Sequence, residues 1–149
     1  MRFLKELGEL IKPIMDQVDF EVKTVNWACP TCDTDFKRKH CISNGAYCAM
    51  QKQGSAVDGK VILNEDLRQM CLLQTLNPVG LGGGPDKTAF FDYITTAHEY
   101  CPYSYINEKC SKLGLEGIEF KEDLLNACIK SSYASGGKQS PTNDPNQIF

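Results

Sequence analysis

Eight cysteines, at positions 29, 32, 41, 48, 71, 101, 110 and 128, constrain this chain more than any other feature. Free thiols at that density are a mispairing hazard, and in a reducing cytosol they would need a metal to justify them. An even number spread along a short chain points instead to paired halves in an oxidising compartment. All eight (Cys29, Cys32, Cys41, Cys48, Cys71, Cys101, Cys110 and Cys128) are therefore expected in disulfides. Each bridge contributes about 2–4 kcal/mol by restricting the unfolded chain. Their connectivity is not readable from spacing alone.

With 42% hydrophobic residues the chain can bury a modest core. Sixteen basic against nineteen acidic residues give a formal charge of −3. That balance argues against nucleic acid or an anionic membrane surface as partner, since both select clustered positive charge. The one basic run, Lys37-Arg38-Lys39-His40, reads as a solvated helix face. No stretch approaches the roughly 18–20 apolar residues needed to cross a bilayer. The first 18 residues are amphipathic and charged, unlike a signal peptide, and no Asn-x-Ser/Thr sequon occurs. The cysteines and the charged start are reconciled if the chain is a processed part of a longer secretory protein.

Helical periodicity runs through Leu4, Leu7, Leu10, Ile11, Ile14 and Met15, predicting an amphipathic helix over 2–17 with a kink or early end at Pro13. Residues 20–27 alternate apolar and polar with β-branched members, the best strand in the sequence. A short helix over 33–41 and a turn at Ser43-Asn44-Gly45 follow, and 51–60 reads as a loop. Asn64 can cap a helix running to about Leu76, with Glu65 and Asp66 suited to its positive end. Asn77-Pro78 and the Gly-rich run to Pro85 end it. Asp86 restarts a helix carrying Phe90, Phe91, Ile94 and Ala97, which Pro102 ends. Ser104 can cap a further helix through Leu113, closed by Gly114. A last helix spans Phe120 to about Lys130. The composition predicts a cysteine-rich helical domain over 1–130 and a disordered tail over 131–149. One strand cannot make a sheet. Its partner would be a second chain, weak strand material at Val61-Ile62-Leu63, or another part of a parent protein.

The sharpest chemical motif is Cys29-Pro30-Thr31-Cys32, between strand and helix. As a redox pair, Cys29 and Cys32 would make a thioredoxin-like thiol-disulfide oxidoreductase, with Cys29 the nucleophile. A full oxidoreductase also needs a strand–helix unit before the motif and a cis-proline strand after it, and Pro78 and Pro141 lie in loop-like sequence. As a zinc site, Cys29 and Cys32 would join Cys41 and Cys48, leaving the other four cysteines unexplained. The simplest reading makes them bridge halves. Gly82-Gly83-Gly84 lacks the lysine of a phosphate loop and reads as a connector. His40 and His98 fall in different helices and read as exposed. Asp92, Glu99 and the pair Glu65-Asp66 read as helix-surface acids. Asn143-Asp144 does not make a calcium loop. Trp27 reads as a core aromatic against a disulfide. No catalytic residue, metal or cofactor is assigned beyond these alternatives.

The blocks Trp27-Ala28-Cys29-Pro30, Cys41-Ile42-Ser43-Asn44-Gly45-Ala46-Tyr47-Cys48 and Asp58-Gly59-Lys60 resemble the central luminal domain of vacuolar sorting receptors. So do Asp66-Leu67-Arg68-Gln69-Met70-Cys71, Phe90-Phe91-Asp92-Tyr93-Ile94, Cys101-Pro102, Cys110 and Cys128. The resemblance runs from about residue 3 to about 130. Cys32 and Ala49-Met50 depart from the family pattern. Such proteins are type I membrane receptors that carry soluble cargo to vacuoles. Their luminal parts combine a protease-associated domain, this cysteine-rich region and EGF-like repeats. The resemblance implies a helical insertion of a split thioredoxin-like domain, with the Trp27 strand belonging to a sheet whose other strands lie outside this chain. It also implies that Cys29 and Cys32 do not occupy the thioredoxin redox position.

The chain is thus read as mainly α with a minor β component, a disulfide-stapled helical module. Its expected role is non-catalytic recognition or structure in a luminal or extracellular receptor, with a protein ligand or other domains of a parent protein as partners. A thiol oxidoreductase and a zinc-stabilised interaction domain are the alternatives. Tyr100, Tyr103 and Tyr105 are the candidate contact residues, because tyrosine supplies contact area at little entropic cost.

Overall fold

A computed structural model describes residues 2–15, 17, 20–50, 57–76, 87–101 and 107–149. Six helices dominate it: α1 (Arg2–Ile11), α2 (Thr34–His40), α3 (Gly59–Thr75), α4 (Ala89–Tyr100), α5 (Glu108–Glu116) and α6 (Glu122–Ser131). Two short strands, β1 (Cys41–Ile42) and β2 (Tyr47–Cys48), pair antiparallel with Cys41 opposite Cys48. The mainly helical expectation holds, as do the four bridges: Cys29–Cys32, Cys41–Cys48, Cys71–Cys128 and Cys101–Cys110.

The core forms around α3. Leu67, Cys71, Leu72, Leu73 and Leu76 meet Phe90, Tyr93 and Ile94 of α4, Leu125 of α6, and Tyr133 beyond it. The helical spacing of these side chains turns one stripe of each helix inward, and burying that stripe stabilises the assembly more than helix propensity does. A smaller cluster of Ile42, Ala49 and Leu63 joins the hairpin to the start of α3. α5 packs chiefly on α4, α6 on α3, and α1 on α4.

Helix α1 ends at Ile11 and a single 3-10 turn carries Pro13, the early end that proline predicts. Helix α3 begins five residues before Asn64. Val61, Ile62 and Leu63 lie in its first turns instead of a strand. Its start is fixed from outside: Gly59 N–H donates to His40 Nδ1 at 3.0 Å, and any Cβ at Gly59 would collide with the Ala49 carbonyl. Asn107, and not a residue nearer 104, caps α5 by accepting from Cys110 N–H at 3.2 Å. Gly114 does not close that helix but lies buried within it, against Tyr93 and Ala97. The expected helix start at Asp86, the end signal at Pro102 and the Ser104 cap lie outside the described residues.

Two further expectations change. Residues 20–26 keep their alternation, half-buried and exposed in turn as side chains on an extended run would be, yet they join no strand. The sole β-type pairing of the 20–27 run among the described residues is an isolated bridge between Trp27 and Cys48. A strand exists only where a neighbouring backbone answers its donors and acceptors, and among the described residues none does so for 20–26. Residues 131–149, polar enough to predict disorder, are instead folded back onto the hairpin and α6. Their polar groups satisfy one another. Asp144 is buried and accepts from the Ser135 N–H at 3.0 Å, and Asn146 Nδ2 donates to Ser132 Oγ at 2.9 Å. Ser43 N–H donates to the Pro141 carbonyl at 2.9 Å, and Asn146 N–H to Ser43 Oγ at 2.8 Å.

Candidate functional site

Two places bring chemistry together: the cystine-rich corner at 27–48 and a groove beside the extended segment. In the corner, the Trp27 and Cys48 backbones exchange hydrogen bonds of 3.1 and 2.8 Å. Cys29 N–H donates to the Gly45 carbonyl at 2.7 Å. Ser43, Asn44 and Gly45 all have positive φ, and at Gly45 (φ 90°) a Cβ would lie 2.6 Å from the Cys29 carbonyl oxygen. Only glycine accepts both the conformation and the approach. Past the Cys29–Cys32 bridge, Asp33 caps α2 by accepting from Phe36 N–H at 2.8 Å, and Lys37 Nζ donates to the Pro30 carbonyl at 2.6 Å. Helix α2 buries no residue, so Lys37, Arg38 and Lys39 form the half- to fully exposed face that the basic run suggested.

Cys41 and Cys48 are fully buried, whereas Cys29 and Cys32 are both half-buried. A cysteine held in a disulfide offers no thiolate to zinc, so a site of Cys29, Cys32, Cys41 and Cys48 is corrected to two bridges. Trp27 is also corrected: it is 41% exposed and not a core residue.

The groove, about 580 Å³, is lined by residues 20–24 and Asn26. Met70, Leu73, Gln74 and Leu76 of α3 and its C-cap also line it, together with Lys87, Ile148 and Phe149. Phe20 and Val22 pack toward the core, while Glu21 and Lys23 are exposed and paired to each other at 2.5 Å. Val25 is 95% exposed. Of the candidate tyrosines, Tyr100 ends α4 and is 64% exposed, while Tyr103 and Tyr105 lie outside the described residues.

Sequence reasoning missed a buried polar centre. Glu65, read as a surface acid, is 4% exposed. Its carboxylate accepts from Tyr93 Oη at 2.5 Å, Arg68 at 2.7 Å, Gln69 at 3.0 Å and Ser111 Oγ. It thereby ties α3 to α4 and α5. The signal was there in the Glu65, Arg68, Gln69 spacing at i, i+3 and i+4, but Tyr93 and Ser111 arrive only through the fold. Burial, with the Glu65 charge adding to it, drives the Tyr93 phenol upward. Asp66, next along, is pushed up to about 7, first by burial and second by Glu65. Elsewhere, Lys60 is lowered by burial and by Arg38, and its Nζ donates to Thr142 Oγ1. His98, Asp92 and Glu99 assemble no site among the described residues; Asp92 pairs with Lys12 at 3.0 Å and Glu99 with Lys5 at 3.6 Å.

Comparison with known proteins fits this architecture. Vacuolar-sorting receptor 3 of Arabidopsis thaliana is 26% identical over 117 residues, covering 74% of this chain and 18% of the receptor. Vacuolar-sorting receptor 4 of the same plant gives the same figures. Vacuolar-sorting receptor 1 of Pisum sativum is 24% identical over 112 residues, covering 70% of this chain and 17% of the receptor. The chain thus spans less than a fifth of the length of these relatives. No solved structure matches it. None of the described helices is long and apolar enough to cross a membrane, and the four disulfides suit an oxidising compartment. The model of the vacuolar sorting receptor thioredoxin-like domain matches residues 1–147, and the chain belongs to that family.

Proposed function

We propose that this chain is a non-catalytic protein-recognition module of a larger receptor, acting in the secretory lumen or at the extracellular surface. Family membership and the names of the relatives support a receptor context. The observation that carries the reading is the extended run 20–26, whose backbone makes no hydrogen bond to a described residue, beside a groove of about 580 Å³. An unpaired extended backbone next to alternating side-chain space is the arrangement that accepts an added strand. The partner is accordingly an extended protein segment, from a ligand or from another domain of the same receptor. Tyr100 adds exposed aromatic contact area at the end of α4.

The test is a titration of the labelled chain with synthetic extended peptides carrying apolar residues at alternate positions, read by amide shifts. Saturable shifts concentrated in 20–26 and lost in Thr24→Arg, which fills the groove, support the reading. Failure of every peptide in the set to give saturable shifts overturns it.

A further inference from the structure

We propose that the Cys29–Cys32 disulfide is a thiol-exchange site, a redox clasp that fastens the extended segment to the hairpin and is opened by a protein dithiol.

The four bridges differ in how deeply their cysteines are buried. Cys41 and Cys48 are both fully buried, so no thiolate reaches either sulfur. Cys71 and Cys110 are buried, 0% and 2% exposed, while their partners Cys128 and Cys101 are half-buried. Attack on Cys128 or Cys101 would therefore expel a buried thiolate, whose loss of hydration disfavours the charged form. Only in Cys29–Cys32 is neither partner fully buried, so attack on either half-buried cysteine leaves the other within reach of water as a thiolate. Exchange rates follow access and the stability of the leaving thiolate.

The surroundings add to this. Lys37 stretches back from α2 to the Pro30 carbonyl, inside the four-residue ring, and places a cation there. A nearby cation stabilises a thiolate. The opposing charge, Asp33, is engaged by the Phe36 N–H.

The chemistry is a balanced two-step exchange. A thiolate of the incoming dithiol attacks one sulfur, the Cys29–Cys32 bond breaks, and the other cysteine leaves as a thiolate that takes a proton from water. The second thiol of the dithiol then attacks the mixed disulfide, releasing the first cysteine as a thiol. The dithiol leaves oxidised and the pair is left reduced. Opening the ring frees the turn that presents Cys29 N–H to Gly45 and, two residues earlier, holds Trp27 on Cys48. These bonds are the β-type attachment of the 20–27 run, so reduction loosens that run while leaving the helical core intact.

The experiment exposes the folded chain to rising dithiothreitol, quenches by alkylation, and maps labelled cysteines by mass. Cys29 and Cys32 are expected to label first, at a reductant concentration roughly tenfold below that for the next pair. Hydrogen exchange on the singly reduced species should then be faster at Trp27, Cys29 and Cys48, with helical circular dichroism unchanged. In Lys37→Gln the first step should slow several-fold. A Cys29→Ser, Cys32→Ser double variant should lose the first labelling step and keep the other three; if that variant fails to fold, labelling of the unmodified chain still decides. First labelling at another pair, or release of all eight thiols together, overturns the proposal. Unchanged exchange at Trp27 and Cys48 overturns the clasp.

Discussion

The helical cluster and the cystine corner solve the same problem by different means. Around α3, Leu67, Leu72, Leu76, Phe90 and Tyr93 are almost fully buried, and Glu65 is paid in hydrogen bonds from three helices. In the corner, α2 buries nothing and the strands are two residues long. There, two bridges spanning three and seven positions do what a core does elsewhere. The lesson is about range. Apolar burial joins residues far apart in sequence, as Cys71–Cys128 does across 57 positions, whereas short-range bridges only hold local shape.

The sharpest way to break the comparison is to empty the polar centre. Glu65→Ala leaves the Tyr93 and Ser111 hydroxyls and the Arg68 guanidinium without their acceptor. Urea unfolding should show a loss of about 3–5 kcal/mol. Next come the bridges. Replacing Cys71 and Cys128 by serine should lower stability by about 4 kcal/mol, and replacing Cys29 and Cys32 by about 2 kcal/mol, from ring size alone. Equal losses in thermal melts would mean that loop length does not separate the two regions. Third, Gly114→Ala puts a methyl 2.9 Å from both the Tyr93 ring and Ala97 Cβ. The α4–α5 contact should open at a cost of about 1–3 kcal/mol, where the same change at exposed Gly136, which has open space, acts only through its positive φ.

A pH titration tests the residue beside the polar centre. Because the folded-state pKa of Asp66 is raised from 3.8 to about 7, the folded chain holds a proton that the unfolded chain releases. The stability linked to this group is full below pH 4, falls as pH rises to 7, and is level above that. Over that window the unmodified chain should lose up to about 4 kcal/mol that Asp66→Asn does not lose, read as melting temperature against pH.

Much of the helical cluster was legible because periodicity is local: Leu67, Phe90 and Ile94 show their inward faces in any short window. The even set of cysteines announced the four bridges in the same way. What escaped was whatever depends on a distant neighbour. Residues 20–27 have a strand's alternation, but pairing needs another backbone, and here only Cys48 supplies one. Val61-Ile62-Leu63 is β-branched enough to read as strand, yet the close seat of Gly59 against Ala49 and His40 starts a helix there. Trp27 was placed inside because it adjoins Cys29 and could pack on a disulfide. The groove draws its lining from Phe20 to Thr24, Asn26, four residues between Met70 and Leu76, Lys87, Ile148 and Phe149, segments no sequence window joins. The tail misled because polar composition predicts disorder only when the polar groups have no partners but water.

That folded-back tail has a consequence for how the chain is made. Ser43 bonds to residues 141, 144 and 146, and Tyr47 Oη donates to the Phe149 carbonyl at 3.1 Å. Synthesis adds roughly 5–20 residues per second, N-terminus first. While the chain is still emerging, α4 and α5 can dock as soon as both exist. The hairpin must wait, its polar turn uncovered, until about a hundred more residues have followed it out of the ribosome. Enzymes that shuffle disulfides would therefore meet the Cys29–Cys48 region open and early, before its own cover has been built.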